Sequence, residues 1–134
     1  MDRVVVVMSS YNGQANICRQ LDSLFAQKGV DVAVYVRDDG SCDETLSVLQ
    51  QYKNSKQPQK LIVESGENCG WKKSFMKALF NAPDADYYAF SDQDDVWFDD
   101  KLSKCIACLQ SQSQEKMLMV HHNRIRCTPE LTPL

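Results

Sequence analysis

Short apolar runs alternate with amphipathic stretches along most of this chain. "VVVVM" (residues 4–8) is a β-branched run without polar interruption, the form of a strand covered on both faces. Ile17, Leu21, Leu24 and Phe25 then recur at helical spacing, and Gly29 supplies a stop. "VAVYV" (residues 32–36) predicts a second strand. "SCDE" (residues 41–44) has capping-box spacing ahead of Leu46, Leu49 and Tyr52, so a second helix capped by Ser41 is expected there. The polar stretch "KNSKQPQK" (residues 53–60) reads as a loop before a third strand, "KLIVE" (residues 60–64). Phe75, Met76, Leu79 and Phe80 mark a third helix after the turn "ENCG". "YYAF" (residues 87–90) predicts a fourth, buried strand, Leu102, Ile106 and Leu109 a fourth helix, and "MLMV" (residues 117–120) a fifth strand.

Repeated strand–helix alternation predicts an α/β fold with a mainly parallel sheet flanked by helices. Polar loops follow the first, second and fourth strands: "SSYNG", "RDDGS" and "SDQDD". Ligands of open parallel sheets bind at the carboxyl ends of the strands, so three clusters far apart in sequence should converge on one edge.

Composition narrows the function classes. The 134 residues suit one domain or part of one, and 43% apolar with 25% charged residues is ordinary for a globular chain. A net charge of −3 argues against nucleic acid as a partner. No apolar window is long enough for a transmembrane segment, and "MDRVVVVMSS" lacks the apolar core of a signal peptide, so the expected location is cytoplasmic. Cys105 and Cys108 form a C-x-x-C that His121, His122 and Cys127 could complete as a zinc site, but without a second pair the six cysteines read as free thiols.

The carboxylates carry the sharpest chemistry. Asp92, Asp94 and Asp95 follow the fourth strand directly. Alternate carboxylates, D-x-D, can present oxygens to one hard cation such as Mg²⁺ or Mn²⁺, leaving coordination positions for diphosphate oxygens. A plain acidic loop capping the next helix is the competing reading, and it suits Asp99 and Asp100 better. Asp38 and Asp39 could simply form a turn with Gly40. An Asp at the sheet edge can also accept a hydrogen bond from a pyrimidine N3–H, and Tyr11 offers a flat face for stacking that base.

"SSYNG", "RDDGSCDET", "ENCGWKKSF" and "FSDQDDVWFDDKL" together resemble, in order and spacing, family 2 glycosyltransferases of the Rossmann-like GT-A fold. The variant "SDQDDVW…KL" is most similar to bacterial rhamnosyltransferase-like members, which build cell-surface polysaccharides such as O-antigen and capsule. The resemblance implies a UDP- or dTDP-sugar donor, a Mn²⁺ or Mg²⁺ cofactor and a glycan or lipid-linked acceptor. It implies that Ser9 and Tyr11 line the nucleobase pocket, that Asp39 binds the base and that Asp38 supports the turn. Asn68, Gly70 and Lys73 would lie where the chain passes the diphosphate. Asp92 would reach the ribose or sugar, Asp94 the metal and Asp95 the sugar, with Trp97 packed beneath. Ser74 stands where relatives often have Asn, which leaves that position's role open.

Family members carry the general base and acceptor site in a second half, and an inverting transfer needs that base to deprotonate the acceptor hydroxyl. Glu130, in a proline-flanked tail, is a poor candidate for it. The expectation is therefore a single donor-binding portion spanning residues 1–134, truncated before the acceptor half, with weak or no transfer activity. Peripheral association with the inner face of the membrane would belong to the full-length protein. Two other readings fit the D-x-D: a Mg²⁺-dependent aspartyl phosphotransferase with Asp92 as nucleophile, and a non-catalytic nucleotide-sugar-binding domain.

Overall fold

Val4, Val5, Val6, Val7 and Met8 are all buried, so the first apolar run is covered on both faces, as its lack of alternation implied. In the computed structural model, which describes residues 1–56, 60–121 and 123–134, this run lies in β1 (Arg3–Ser10). There follow α1 (Ile17–Phe25), β2 (Asp31–Asp39), α2 (Thr45–Lys56), β3 (Leu61–Gly66), α3 (Trp71–Asn81), β4 (Tyr87–Ser91) and α4 (Lys101–Gln110). The chain divides into two compact units, residues 1–103 and 104–134.

In the first unit the strands order as β3-β2-β1-β4, and every neighbouring pair is parallel. Each connection between them carries a helix, the crossover that parallel strands require. Val5 and Val7 join Tyr35 and Ala78 in a buried cluster against which Phe75 and Leu79 of α3 pack. Val4, Val6 and Met8 alternate to the opposite face. There α1 contributes buried Ile17, Leu21 and Leu24, and α1 packs on both β2 and α2.

Register sets the carboxyl edge. Ser10 pairs with Asp38, Asp39 with Gly66, and Met8 with Ser91, so the loops after β1, β2 and β4 open on the same side. The chain builds outward from β1 through β2 to β3, then returns to place β4 on the other side of β1. The crevice between the ends of β1 and β4 is thus the topological switch point, where such sheets hold ligands.

Four sequence expectations change. β4 is an edge strand of the four-stranded sheet, not a buried one, and Tyr88 and Phe90 on one of its faces are 44% and 54% exposed. Ser41 does not cap α2: its backbone N–H and hydroxyl both donate to Asp38 (2.9 and 2.5 Å), and it is Asp43 that accepts from the Thr45 N–H at the helix start. The polar stretch after Tyr52 is helical through Lys56, while residues 57–59 lie outside the described residues. "MLMV" forms no strand among the described residues. Met117 and Met119 are exposed, because a short apolar run becomes a strand only where a ladder pairs it.

In the second unit, the tail folds back through an antiparallel bridge between Cys127 and Pro133, with Leu134 N donating to the Arg126 carbonyl (3.0 Å). Cys105 and Cys108 lie on α4, no disulfide joins any of the cysteines among the described residues, and His122 lies outside the described residues. No helix of the described residues is long and apolar enough to cross a membrane.

Candidate functional site

Asp38 and Asp39 end β2 on opposite faces and do different work. Asp38 is wholly buried. Its Oδ1 accepts from the hydroxyls of Ser10 (2.8 Å) and Ser41, and its Oδ2 accepts from the Ser41 N–H, so it ties the end of β1 to the turn after β2. It does not reach a cleft.

Asp39 shares a face of β2 with Arg37, two residues earlier, and the two form a buried ion pair (2.8 Å). The Arg37 guanidinium also donates to Ser74 Oγ (2.9 Å) and to the Glu67 carbonyl (3.1 Å), and Ser9 Oγ donates to Ser74 Oγ (2.6 Å). Asp39 further accepts from the backbone N–H groups of Cys69 (2.9 Å) and Gly70 (3.1 Å) and from the Cys69 thiol (3.4 Å). Burial alone would raise the Asp39 carboxyl; the Cys69 N–H and the Arg37 guanidinium outweigh it and hold the group below its usual range. Asp39 therefore lines the cleft as the clamp on the segment entering α3, with its oxygens already engaged by protein donors. Asn68 adds to that clamp by donating its side-chain N–H to the Asp39 carbonyl (3.0 Å).

Tyr11 stands half-exposed after β1. Asn12, at a φ of 49°, accepts from the Cys42 N–H (2.8 Å) and donates its own N–H to Ser41 Oγ (3.0 Å), which fastens this loop to the next one. Across the switch point, the Gln93 amide accepts from Tyr11 N (2.9 Å) and donates to Tyr11 O (2.8 Å).

These loops enclose a cleft of about 560 Å³ lined by Ser9, Tyr11, Asp39, Asn68, Gly70, Asp92 and Asp94, together with Trp71, Phe75 and Gln93. A second cleft of about 460 Å³ adjoins it, sharing Trp71, Phe75 and Asp92 and adding Asp95, Trp97, Lys72 and Lys101. Trp97 forms its floor: the ring is buried, Lys101 Nζ lies 3.7 Å from the ring centroid, and Gln20, its amide turned to satisfy Ser23, Ser91 and the Asp95 carbonyl, accepts from Trp97 Nε1 (3.3 Å). Lys73 is exposed on α3 and lines neither cleft; its neighbour Lys72 lines the second.

Among the described residues no three His, Cys, Asp or Glu side chains converge as a metal cage. Asp92 and Asp94 instead offer two exposed carboxylates on one wall of the first cleft. Hard oxygen donors in that number fit a Mg²⁺ or Mn²⁺ ion whose remaining positions are filled by a ligand's phosphates and water, not a fully protein-enclosed ion.

Sequence reading missed Arg37 and Gln93. Both left a signal: a charged residue extending an apolar strand two positions before an Asp on the same face, and a neutral amide interrupting a run of carboxylates. Trp71, Phe75 and Phe90 left none, because their meeting in the clefts depends on how α3 lies against β1 and β4.

Residues 5–121 match the family model for glycosyl transferase family 2. The chain is 36% identical over 105 residues to dTDP-rhamnosyl transferase RfbG of Shigella flexneri, covering 76% of this chain and 36% of that protein. Mannosyltransferase PcManGT from Pyrobaculum calidifontis, solved in complex with GDP-Man and Mn²⁺, superposes with a TM-score of 0.72 at 26% identity, covering 78% of this chain and 31% of that one. S. aureus TarS in complex with UDP-GlcNAc gives 0.70 at 28% identity, covering 81% and 31%. The parallel sheet with its flanking helices is the GT-A arrangement of these neighbours. The chain spans about a third of the length of the proteins it matches.

Proposed function

The chain belongs to glycosyl transferase family 2, and from that membership we propose that it carries the donor side of an inverting glycosyl transfer. It binds a UDP- or dTDP-linked sugar with Mn²⁺ or Mg²⁺, for transfer to a glycan or lipid-linked acceptor in the assembly of a bacterial cell-surface polysaccharide. The observation that carries this reading is the meeting of Ser9, Tyr11, Asn68, Gly70, Asp92 and Asp94 in one cleft at the switch point of a parallel sheet. The RfbG, TarS and PcManGT likenesses support a nucleotide-sugar ligand, and the Mn²⁺ of the last supports a divalent cation.

In this reading Tyr11 stacks on the base while Asp39 shapes the pocket floor by holding the Cys69–Gly70 backbone. Asp94, with Asp92 beside it, holds the cation. When bound, that cation supplies positive charge against the negative charge growing on the departing diphosphate. The sugar extends into the second cleft, where Asp92 and Asp95 accept from its hydroxyls above Trp97. The general base that deprotonates the acceptor, and the acceptor site itself, belong to the part of the family's length that these 134 residues do not span. The setting proposed is the cytoplasm, with peripheral attachment at the inner face of the membrane.

Calorimetry with UDP and dTDP, with and without Mn²⁺, tests the reading. Binding should depend on metal, and Asp94→Ala should remove the metal-dependent part. Equal binding without metal overturns the D-x-D assignment, and phosphorylation of Asp92 by a small phosphodonor would turn the reading towards an aspartyl phosphotransferase. The alternative reading is a nucleotide-sugar-binding domain that performs no transfer. Transfer by a longer polypeptide containing these residues would exclude it.

A further inference from the structure

Gln93 stands between the two carboxylates proposed to face the cation, yet its own side chain turns away to the opposite wall. Among the described residues its amide bonds to Tyr11, and does so twice: Oε1 accepts from the Tyr11 N–H (2.9 Å) and Nε2 donates to the Tyr11 carbonyl (2.8 Å). A primary amide paired in this way imitates a strand neighbour and fixes both the orientation of the amide and the peptide plane it grips. The approach is close. A Cβ placed at Gly13 would stand 2.6 Å from Gln93 Cδ, so the residue two beyond Tyr11 has room for this side chain only as glycine.

The neighbours of Tyr11 are anchored elsewhere. Ser10 donates to Asp38 (2.8 Å), and Asn12 is bonded to Ser41 and Cys42. Gln93 is thus the side chain that fixes the Tyr11 backbone between those anchors, and it does so from the turn bearing Asp92 and Asp94. On the donor reading given above, we propose that Gln93 is a positioning residue that couples the nucleobase wall to the cation wall. The Tyr11 ring is presented for stacking when the 92–94 turn is in place, so a nucleoside that never touches the cation still reports on that turn.

Uridine, which has no phosphate to reach a metal, is the probe, alongside UDP with Mn²⁺ and amide hydrogen exchange at Tyr11. In Gln93→Leu the Tyr11 amide should exchange at least tenfold faster, and uridine affinity should fall roughly tenfold, the scale of a lost hydrogen-bonded support. Gln93→Glu keeps the acceptor for Tyr11 N but sets a carboxylate against the Tyr11 carbonyl, and it should weaken uridine as well. Gly13→Ala should reproduce both losses with Gln93 chemically intact, which keeps the test open should Gln93→Leu fold poorly. Asp94→Ala, by contrast, should lose the Mn²⁺ dependence of UDP. Uridine affinity within twofold of wild type in Gln93→Leu, or unchanged Tyr11 exchange, overturns the coupling alone. Wild-type protein that binds neither uridine nor UDP overturns the donor reading and the coupling with it.

Discussion

Arg37 and Asp39 form an ion pair whose side chains are 4% and 3% exposed. Removing one partner from such a pair leaves an uncompensated charge, so Arg37→Met should cost about 3–5 kcal/mol, read as a lower midpoint in chemical denaturation at pH 7. The acid limb should move as well. The folded-state carboxyl of Asp39 lies below its ordinary 3.8, so its contribution is complete above that value and is lost as pH falls through the lower folded value. Without the guanidinium the folded value rises towards the ordinary one and this acid-side loss shrinks, so between pH 5 and about pH 3 the variant should lose less further stability than the wild type; an equal loss would contradict the assigned role of Arg37. Strand alternation made this pair legible in principle, since residues two apart share a face. The donors that Asp39 gathers from Cys69 and Gly70 were not legible, because they arrive from a loop about thirty residues away whose path only the sheet register decides.

Among the elements, the start of α3 shows how backbone conformation serves the site. Gly70 has φ 88° and ψ 153°, a region essentially reserved for glycine, yet a Cβ there would meet nothing within 4 Å. Gly70→Ala should therefore destabilise by about 1–3 kcal/mol through backbone strain alone, with no steric remedy from trimming neighbours. Thermal unfolding checks this, and a variant as stable as the wild type would show that the turn can relax. β1 and β2 were readable from their unbroken apolar runs because they are covered on both sides. Edge or centre was not readable. The run at residues 87–90 differs little in composition from a central strand, and its exposed Tyr88 and Phe90 reflect its place in the order β3-β2-β1-β4. The apolar run at 117–120 failed for the complementary reason, since pairing is a property of two segments and composition of one.

At the scale of the whole molecule, three polar loops after parallel strands share one edge, as their places after apolar runs implied. A ligand held there stabilises the folded state by mass action, so UDP or dTDP with Mn²⁺ at about a hundred times its dissociation constant should add about 2.7 kcal/mol, seen as a raised thermal midpoint. Among nucleotide sugars the largest shift identifies the donor.

The two clefts share Trp71, Phe75 and Asp92 as a common partition. Under the proposed function, a spent nucleoside diphosphate left behind by transfer still presses on that partition after the sugar has gone. Reloading must then wait for its departure, so in any polypeptide that performs the transfer through this cleft UDP or dTDP should act as a competitive inhibitor against the donor, and the pace of turnover would follow how quickly the leftover half of the substrate escapes.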